Sequence, residues 1–306
     1  MTVDFGLHIE PGAKTGEHNT WLENLDATAR LMEGHVRSLC VYDHFFYDGA
    51  AAYEGWTTLT FLATRFPNYE VVSFVLGQGF RNPALMALMG TTLQTLSQGR
   101  LTMGIGAGWK EDEYLAYDYE FPRGGIRIEQ LEDAVNVLQK LWTETGQVSY
   151  DGKHYKITDA WCEPKPVPMI PIMVGGAGKK TMRVAAKYAD LWNAGGEIDY
   201  YTERLDILKQ HCNELDRDIS TLRLTYGGGI VIGKTEKEAQ RYADEEGYNG
   251  PFVGTAEQVA EKMADFVELG VDYFMVKIHG LPDPEISSLV TEELIPKVKN
   301  LKTSNG

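Results

Sequence analysis

The sequence is short of cysteine: Cys40, Cys162 and Cys212 lie far apart and form no CxxC pair. Three scattered thiols give no disulfide framework and no zinc-type ligand spacing. They fit a reducing cytoplasm. Positive charge is also scarce, with 29 Lys and Arg against 44 Asp and Glu and a formal net charge of −15. Nucleic acid and anionic membrane surfaces both call for basic patches. Neither is an expected partner, and an anionic ligand must be held by local groups. No run of about 18 apolar residues is present that could span a bilayer. The stretch MTVDFGLHIE lacks the basic leader and apolar run of a signal peptide. No His/Asp/Glu set has metal spacing and no GxSxG nucleophile elbow occurs, so a metal is not expected.

What is present is a well-mixed chain of 306 residues, 43% hydrophobic and 24% charged, values suited to a sizeable core and an ordered globule. Short β-branched apolar runs alternate with longer amphipathic stretches. Strands are expected over residues 3–9, 37–42, 71–76, 101–105, 172–174, 190–193, 222–232 and 273–278. Helices are expected over 21–32 after a candidate cap at Asn19, then 56–65, 83–96, 125–143, 180–188, 200–215, 236–246, 256–269 and 284–298. The stretch 147–157 carries Asp151-Gly152 between VSY and HYKI, which predicts a hairpin insertion before the fifth strand. A proline-rich run, 163–171, follows it. Eight strand-then-helix units without a break in composition favour one α/β domain over residues 1–306, a (β/α)8 TIM barrel. A doubly wound sheet would need a Gly-rich turn straight after the first strand, and FGLHIE is followed by none.

In such a barrel the functional groups sit just after the strands. The second strand runs into VYDHFF, which places Asp43 and His44 on the rim. A His beside an Asp can move a proton or hydrogen-bond a cofactor carbonyl; the plainer alternative is a loop cap. The fourth strand runs into MGIGAGWKEDEY. Gly104, Gly106 and Gly108 allow close backbone approach or a sharp bend. Trp109 offers an indole face to a planar ring or an apolar substrate, or simply packs on the rim. The acidic run 111–113 reads as a solvated loop or a helix start. The sharpest signal is VGGAGKKT, where Gly175, Gly176, Ala177 and Gly178 join a strand to a helix opening with Lys179, Lys180 and Thr181. Free N–H groups at a helix start, unobstructed by Cβ atoms, form a phosphate cradle; an ordinary Gly-rich turn is the alternative. His8 and His279, near the ends of the first and eighth strands, are candidates for the substrate pocket or for rim hydrogen bonds.

The blocks GRLTMGIGAGWKEDEY, EDAVNVLQKLW, VSYDGKHYKITDA, PKPVPMIPIMVGGAGKKTMRVAAKYADLWN and VGTAEQVAEKMADFVELGVDYF together resemble the luciferase-like monooxygenase superfamily. The closest likeness is to its coenzyme F420-dependent (deazaflavin-dependent) oxidoreductases, and it covers nearly the whole chain. The resemblance implies a TIM-type barrel with deazaflavin or FMN at the C-terminal ends of the strands. It implies ring contacts from Asp43 and His44, and cofactor contacts from Gly106, Ala107 and Gly108. It implies a bulged third strand behind the ring, often with a non-prolyl cis peptide, here Ser73, Phe74 and Leu76. The cofactor phosphate would lie on Gly176, Ala177, Gly178 and Thr181. The implied activity is hydride transfer between ring carbon C5 and a small organic substrate, with His44 handling the proton and Asp43 orienting its imidazole. A homodimer is implied as well. In similar sugar-phosphate dehydrogenases a glutamate follows the fourth-strand glycines; here Trp109 stands there, which favours an apolar or planar substrate. Two alternatives stay open: an FMN-dependent monooxygenase using reduced flavin and oxygen, and a flavin-binding protein without catalysis.

Overall fold

The computed structural model describes residues 2–12, 18–47 and 50–301. Its centre is eight strands: β1 Asp4–Ile9, β2 Ser38–Val41, β3 Glu70–Ser73, β4 Leu101–Gly106, β5 Ile172–Gly175, β6 Leu191–Ala194, β7 Arg223–Ile232 and β8 Val271–Ile278. Each pairs in parallel with its sequence neighbour, β8 pairs with β1, and the β4–β5 pairing closes the sheet. The helices around it are α1 His18–Met32, α2 Gly55–Arg65, α3 Pro83–Leu96, α4 Glu111–Ala116, α5 Gly124–Thr143, α6 Lys179–Tyr188, α7 Ile198–Glu214, α8 Glu236–Glu246 and α9 Ala256–Glu268. The expected (β/α)8 barrel with a hairpin before β5 is therefore the fold. The hairpin pairs Val148–Asp151 with Lys156–Ala160.

Local chemistry sets several boundaries. Asn82 caps α3 by accepting from the N–H groups of Ala84 and Leu85, and Pro83 takes a first-turn position where its missing donor costs nothing. Thr255 and Gln258 form a reciprocal capping box on α9. Asn19 lies inside the first turn of α1 rather than capping it, because the helix already includes His18. The closing segment is not one even helix. A π turn over Leu289–Leu294 separates Pro284–Ser288 from Ile295–Lys299, and Pro296 within the last piece has no N–H to donate back into the preceding turn.

Strand alternation divides the core in two. Leu39, Val41, Val71 and Phe5 face the helices in one large cluster. Cys40, Val72, Met173, Leu191, Tyr273 and Met275 fill the barrel interior, with Phe74 and Val75 packed on that cluster. At the N-terminal ends of the strands, Arg37 bridges Asp4 and Glu70, and Arg223 bridges Asp4 and Asp272. These pairs join β1, β3, β7 and β8 at one end, which leaves the other end for chemistry.

Candidate active site

At the C-terminal ends of β2 to β6 a cavity of about 360 Å³ opens. Asp43, His44, Phe74, Leu76, Gly106, Ala107, Gly108, Trp109, Gly175, Gly176 and Thr181 all line it. The residues singled out after strands two to five thus converge on one place. Tyr42, Val75, Gly77, Phe80, Lys110, Glu113, Tyr114 and Asn193 line it too.

Glu113 decides the state of His44. Its Oε2 lies 2.7 Å from His44 Nδ1, and its Oε1 accepts from the N–H groups of Phe45 at 2.6 Å and Phe46 at 3.1 Å. The side chain is 1% exposed. A carboxylate only accepts, so in this pair Nδ1 carries the hydrogen. The reading of the 111–113 run as solvated fails at this residue. Glu111 and Asp112 face water, but Glu113 and Tyr114 are the buried side of α4. The one hint in the sequence is the aromatic Tyr114 beside it. The Trp109 indole and the His44 ring meet nearly at right angles, with centroids 5.7 Å apart.

Asp43 does not orient His44. Its two oxygens take Arg81 Nη1 and Nη2 at 2.7 and 2.8 Å, and Oδ2 also accepts from Gly77 N–H at 2.9 Å. Arg81 pairs with Glu54 as well. Burial lowers the guanidinium pKa and these two carboxylates more than reverse that, so it is raised overall. Asp43 therefore ties the loop after β2 to the loop after β3. It lies next to His44 in sequence and is bonded elsewhere.

Behind the cavity, Phe74 and Val75 leave the ladder between β3 and the short run Leu76–Gly77, which rejoins β4. The Phe74–Val75 peptide is cis, the feature the resemblance implied for this stretch. Gly104 makes room for this bulge: a Cβ there would fall on the Ser73 carbonyl oxygen. Ser73 Oγ accepts from Gly104 N–H at 2.8 Å, donates to Gly104 O at 3.0 Å and stays buried behind the wall. The Val75 side chain sits against Gly106 and Gly175, where added Cβ atoms would lie 3.0 and 2.9 Å from its methyls. The fourth- and fifth-strand glycines thus shape a flat wall around one valine.

Across the cavity, the Gly-rich turn meets the start of α6. Gly178 is its N-cap and makes no side-chain cap, and Thr181 stands in the first turn. Gly176 has φ +126°, a conformation that favours glycine. Its N–H donates to Asn193 O and its carbonyl accepts from Trp192 Nε1, both at 3.0 Å. An uncapped helix start beside a flat wall fits a planar group carrying a phosphate. Ala177 packs on the core, and Ala177 and Gly178 shape the turn without lining the cavity.

The two outlying histidines fall elsewhere. His8 lies behind Tyr42 and Phe74, ring centroids 5.1 and 5.5 Å away. Its buried Nε2 has no hydrogen-bond partner among the described residues, and burial pushes its pKa down to about 4. His279 Nδ1 lies 2.9 Å from Glu246 and its ring 5.1 Å from that of Tyr248, apart from the cavity lining. Asn193, Arg81 and Val75 carried no local signal, since each gains its place only through the barrel's closure.

A closed parallel barrel with its polar groups and a helix start gathered at one mouth defines an enzyme of the TIM-barrel class. The sequence model of the luciferase-like monooxygenase family matches residues 4–252. The chain belongs to that family, and it is an oxidoreductase by class. It is 24% identical to an F420-dependent glucose-6-phosphate dehydrogenase of Microbacterium testaceum (strain StLB037), over 90% of this chain and 93% of that one. The fold superposes on an F420-dependent secondary alcohol dehydrogenase in complex with an F420–acetone adduct with a TM-score of 0.82 at 19% identity, covering 97% of this chain and 99% of that one. It matches EDTA monooxygenase from Chelativorans sp. BNC1 at 0.80 and 14% identity, covering 98% and 94%.

Proposed function

We propose that the chain is a coenzyme F420-dependent oxidoreductase that moves a hydride between the deazaflavin and a small uncharged substrate. The observation that carries this is the pairing of a carboxylate-fixed imidazole, His44 on Glu113, with an uncapped helix start at Gly178 across one glycine-walled cavity. When bound, the cofactor would supply a hydride acceptor or donor at ring carbon C5. Val75 and the glycines around it would back the ring, and Thr181 with the first-turn N–H groups of α6 would hold the phosphate. Loss of hydride from an alcohol also releases the hydroxyl proton. His44 takes that proton at Nε2, and in the reverse direction returns it.

The substrate class follows from the lining. Lys110 is the one Lys or Arg among the cavity-lining residues, and its ammonium already meets Asp112 at 2.5 Å and the Phe46 ring at 4.2 Å. Tyr42, Phe74, Phe80 and Trp109 present rings. A neutral alcohol or ketone suits this surface better than a sugar phosphate. The relatives named above point to F420 through two of the three. A second reading, an FMN-dependent monooxygenase, draws on the comparable fold likeness to EDTA monooxygenase. The three buried free thiols support a cytoplasmic setting.

Single-turnover oxidation of reduced F420 by a panel of small ketones tests the chemistry. His44→Gln is expected to bind F420 within about tenfold of wild type while turnover falls by about 10²–10⁴-fold, the usual contribution of a general acid or base. Full activity in His44→Gln would refute the proton role.

A further inference from the structure

One polar side chain of the cavity lining is held in a single orientation by the fold behind it: Asn193, near the C-terminal end of β6. Its backbone is pinned on both sides, in register with Gly175 of β5 and Thr225 of β7. The side chain is 8% exposed. Asn193 Nδ2 donates to Thr225 Oγ1 at 2.8 Å, and Thr225 Oγ1 donates to the Trp192 carbonyl at 2.9 Å. The carbonyl can only accept, so the single hydroxyl hydrogen of Thr225 goes to Trp192 and its oxygen is left to accept. The amide must therefore turn its N–H toward Thr225, and Oδ1 faces the other way. Thr225 is fully buried, so water cannot replace this pairing.

Oδ1 lies beside the tip of the Phe74 ring. A Cβ on Gly227 would fall 2.7 Å from Asn193 Oδ1 and 2.8 Å from Phe74 Cζ, so ring and amide both rest on the bare backbone of β7. Among the described residues only Nδ2 of this amide is hydrogen-bonded. The position also stands apart from the proposed seat of the cofactor. Val75 touches Gly106 of β4 and Gly175 of β5, and Gly175 opens the phosphate turn. The way from the wall to the cradle thus runs along β4 and β5. Asn193 lies one strand beyond, on β6, and His44 lies on the loop after β2. The two stand at opposite ends of the lining, with the ring's seat between them. An acceptor covered without a donor bears the full cost of its desolvation, so an occupant that fills this end of the cavity has to bring the donor.

We infer that Asn193 is a specificity-determining residue, and that the substrate carries a hydroxyl besides the oxygen that reacts at His44: a hydroxyketone in one direction, the corresponding diol in the other. The second hydroxyl donates to Asn193 Oδ1 while the reacting oxygen faces His44. Thr225 acts through Asn193 and is a positioning residue. The inference rests on the reading of the site as that of an F420-dependent oxidoreductase and narrows its substrate class. The molecule stays uncharged, as the lining requires.

Two ligand pairs test it, each differing only by a hydroxyl in place of a methyl group. One is hydroxyacetone against butanone; the other is cyclohexanone with a hydroxyl opposite its carbonyl against the same ring with a methyl there. The chain is loaded with oxidised F420, so that no ketone can be reduced, and titrated with each ligand by the fluorescence of the cofactor. The wild type is expected to bind the hydroxyl member of at least one pair about tenfold more tightly or better, since a site built around a polar group rejects the analogue that leaves it unpaired. Asn193→Leu, apolar and of the same branching, is expected to remove that preference while F420 affinity and the circular dichroism spectrum stay as in the wild type. Thr225→Val keeps Asn193 but frees the amide to turn its N–H outward, and is expected to weaken the preference without abolishing it. Failure of the wild type to bind F420 would refute the underlying reading and the inference together. F420 binding with no hydroxyl preference in either pair, or a preference that survives Asn193→Leu, would overturn the inference alone. A loss of F420 affinity in a folded Asn193→Leu would assign the amide to the cofactor and overturn it as well.

Discussion

The imidazole Nδ1 of His44 lies 2.7 Å from Oε2 of Glu113, a side chain 69 positions further along the chain. The same carboxylate takes the backbone N–H groups of Phe45 and Phe46. One buried acid therefore fixes the ring and the path of the loop that carries it. Glu113 acts through His44 and is a positioning residue for the proposed reaction.

Glu113→Gln keeps an acceptor for the backbone donors but offers His44 an amide in place of a carboxylate. It is expected to fold, to bind F420 near the wild-type level, and to lose turnover by about 10–100-fold, the scale of a lost outer-shell partner. Its pH–rate profile should also change, because the imidazole loses the carboxylate that orients it. Glu113→Ala strands two N–H groups and is expected to cost a further ~2–4 kcal/mol of stability. Denaturant melts and pH–rate profiles check both, and an unchanged Gln profile would remove Glu113 from the proposed mechanism.

Asp43→Asn separates the observed role of this residue from the one its sequence position suggests. Neutralising it leaves Arg81, a buried guanidinium, with Glu54 alone. Removing one partner of a buried pair costs about 3–5 kcal/mol, and the share retained by Glu54 puts the expectation near ~3 kcal/mol. Stability should fall while the pH–rate profile keeps its wild-type midpoint. A shifted midpoint with little loss of stability would make Asp43 the partner of His44 after all.

Gly104→Ala probes the wall. The new Cβ falls on the Ser73 carbonyl oxygen, and neither backbone can move without opening the β3–β4 pairing. A loss of about 1–3 kcal/mol is expected, the usual cost of overpacking, together with weaker cofactor binding because the bulge at Phe74–Val75 shifts. Gly178→Ala serves as the contrast, since its Cβ would meet only Thr181 Oγ1 at an ordinary 3.5 Å. Equal tolerance of both changes would mean that the wall does not depend on Gly104.

His8 links stability to pH. Burial holds the folded-state pKa near about 4 against an ordinary 6.5. Between those values the unfolded chain binds the proton and the folded chain does not, so stability rises with pH across that window. It is fully present above about 6.5 and lost as the pH falls toward 4, by up to about 3 kcal/mol. His8→Phe is expected to flatten that part of the stability–pH curve. An unchanged slope between pH 4 and 6.5 would contradict the burial of a neutral imidazole.

The legible part of this protein is periodic or contiguous. Eight alternating units showed the barrel, and VGGAGKKT showed the cradle because its glycines and helix start lie side by side. The glycines of MGIGAG were visible as a close approach, but the approaching group, Val75 from another strand, was not. Asp43 and His44 were visible as a pair and misread as partners. Adjacent residues on an extended loop point different ways, and each found its true partner, Arg81 or Glu113, only through the fold. Composition cannot tell a buried Glu113 from its exposed neighbours Glu111 and Asp112.

The central claim is that this cavity is built for a deazaflavin. Titrating the purified chain separately with coenzyme F420 and with FMN, followed by intrinsic fluorescence, measures it most directly. F420 is expected to bind with a Kd in the micromolar range or tighter, and FMN at least about tenfold more weakly, a difference of about 1.4 kcal/mol. Equal affinities, or tighter binding of FMN, would contradict the account and make the chain a flavin monooxygenase.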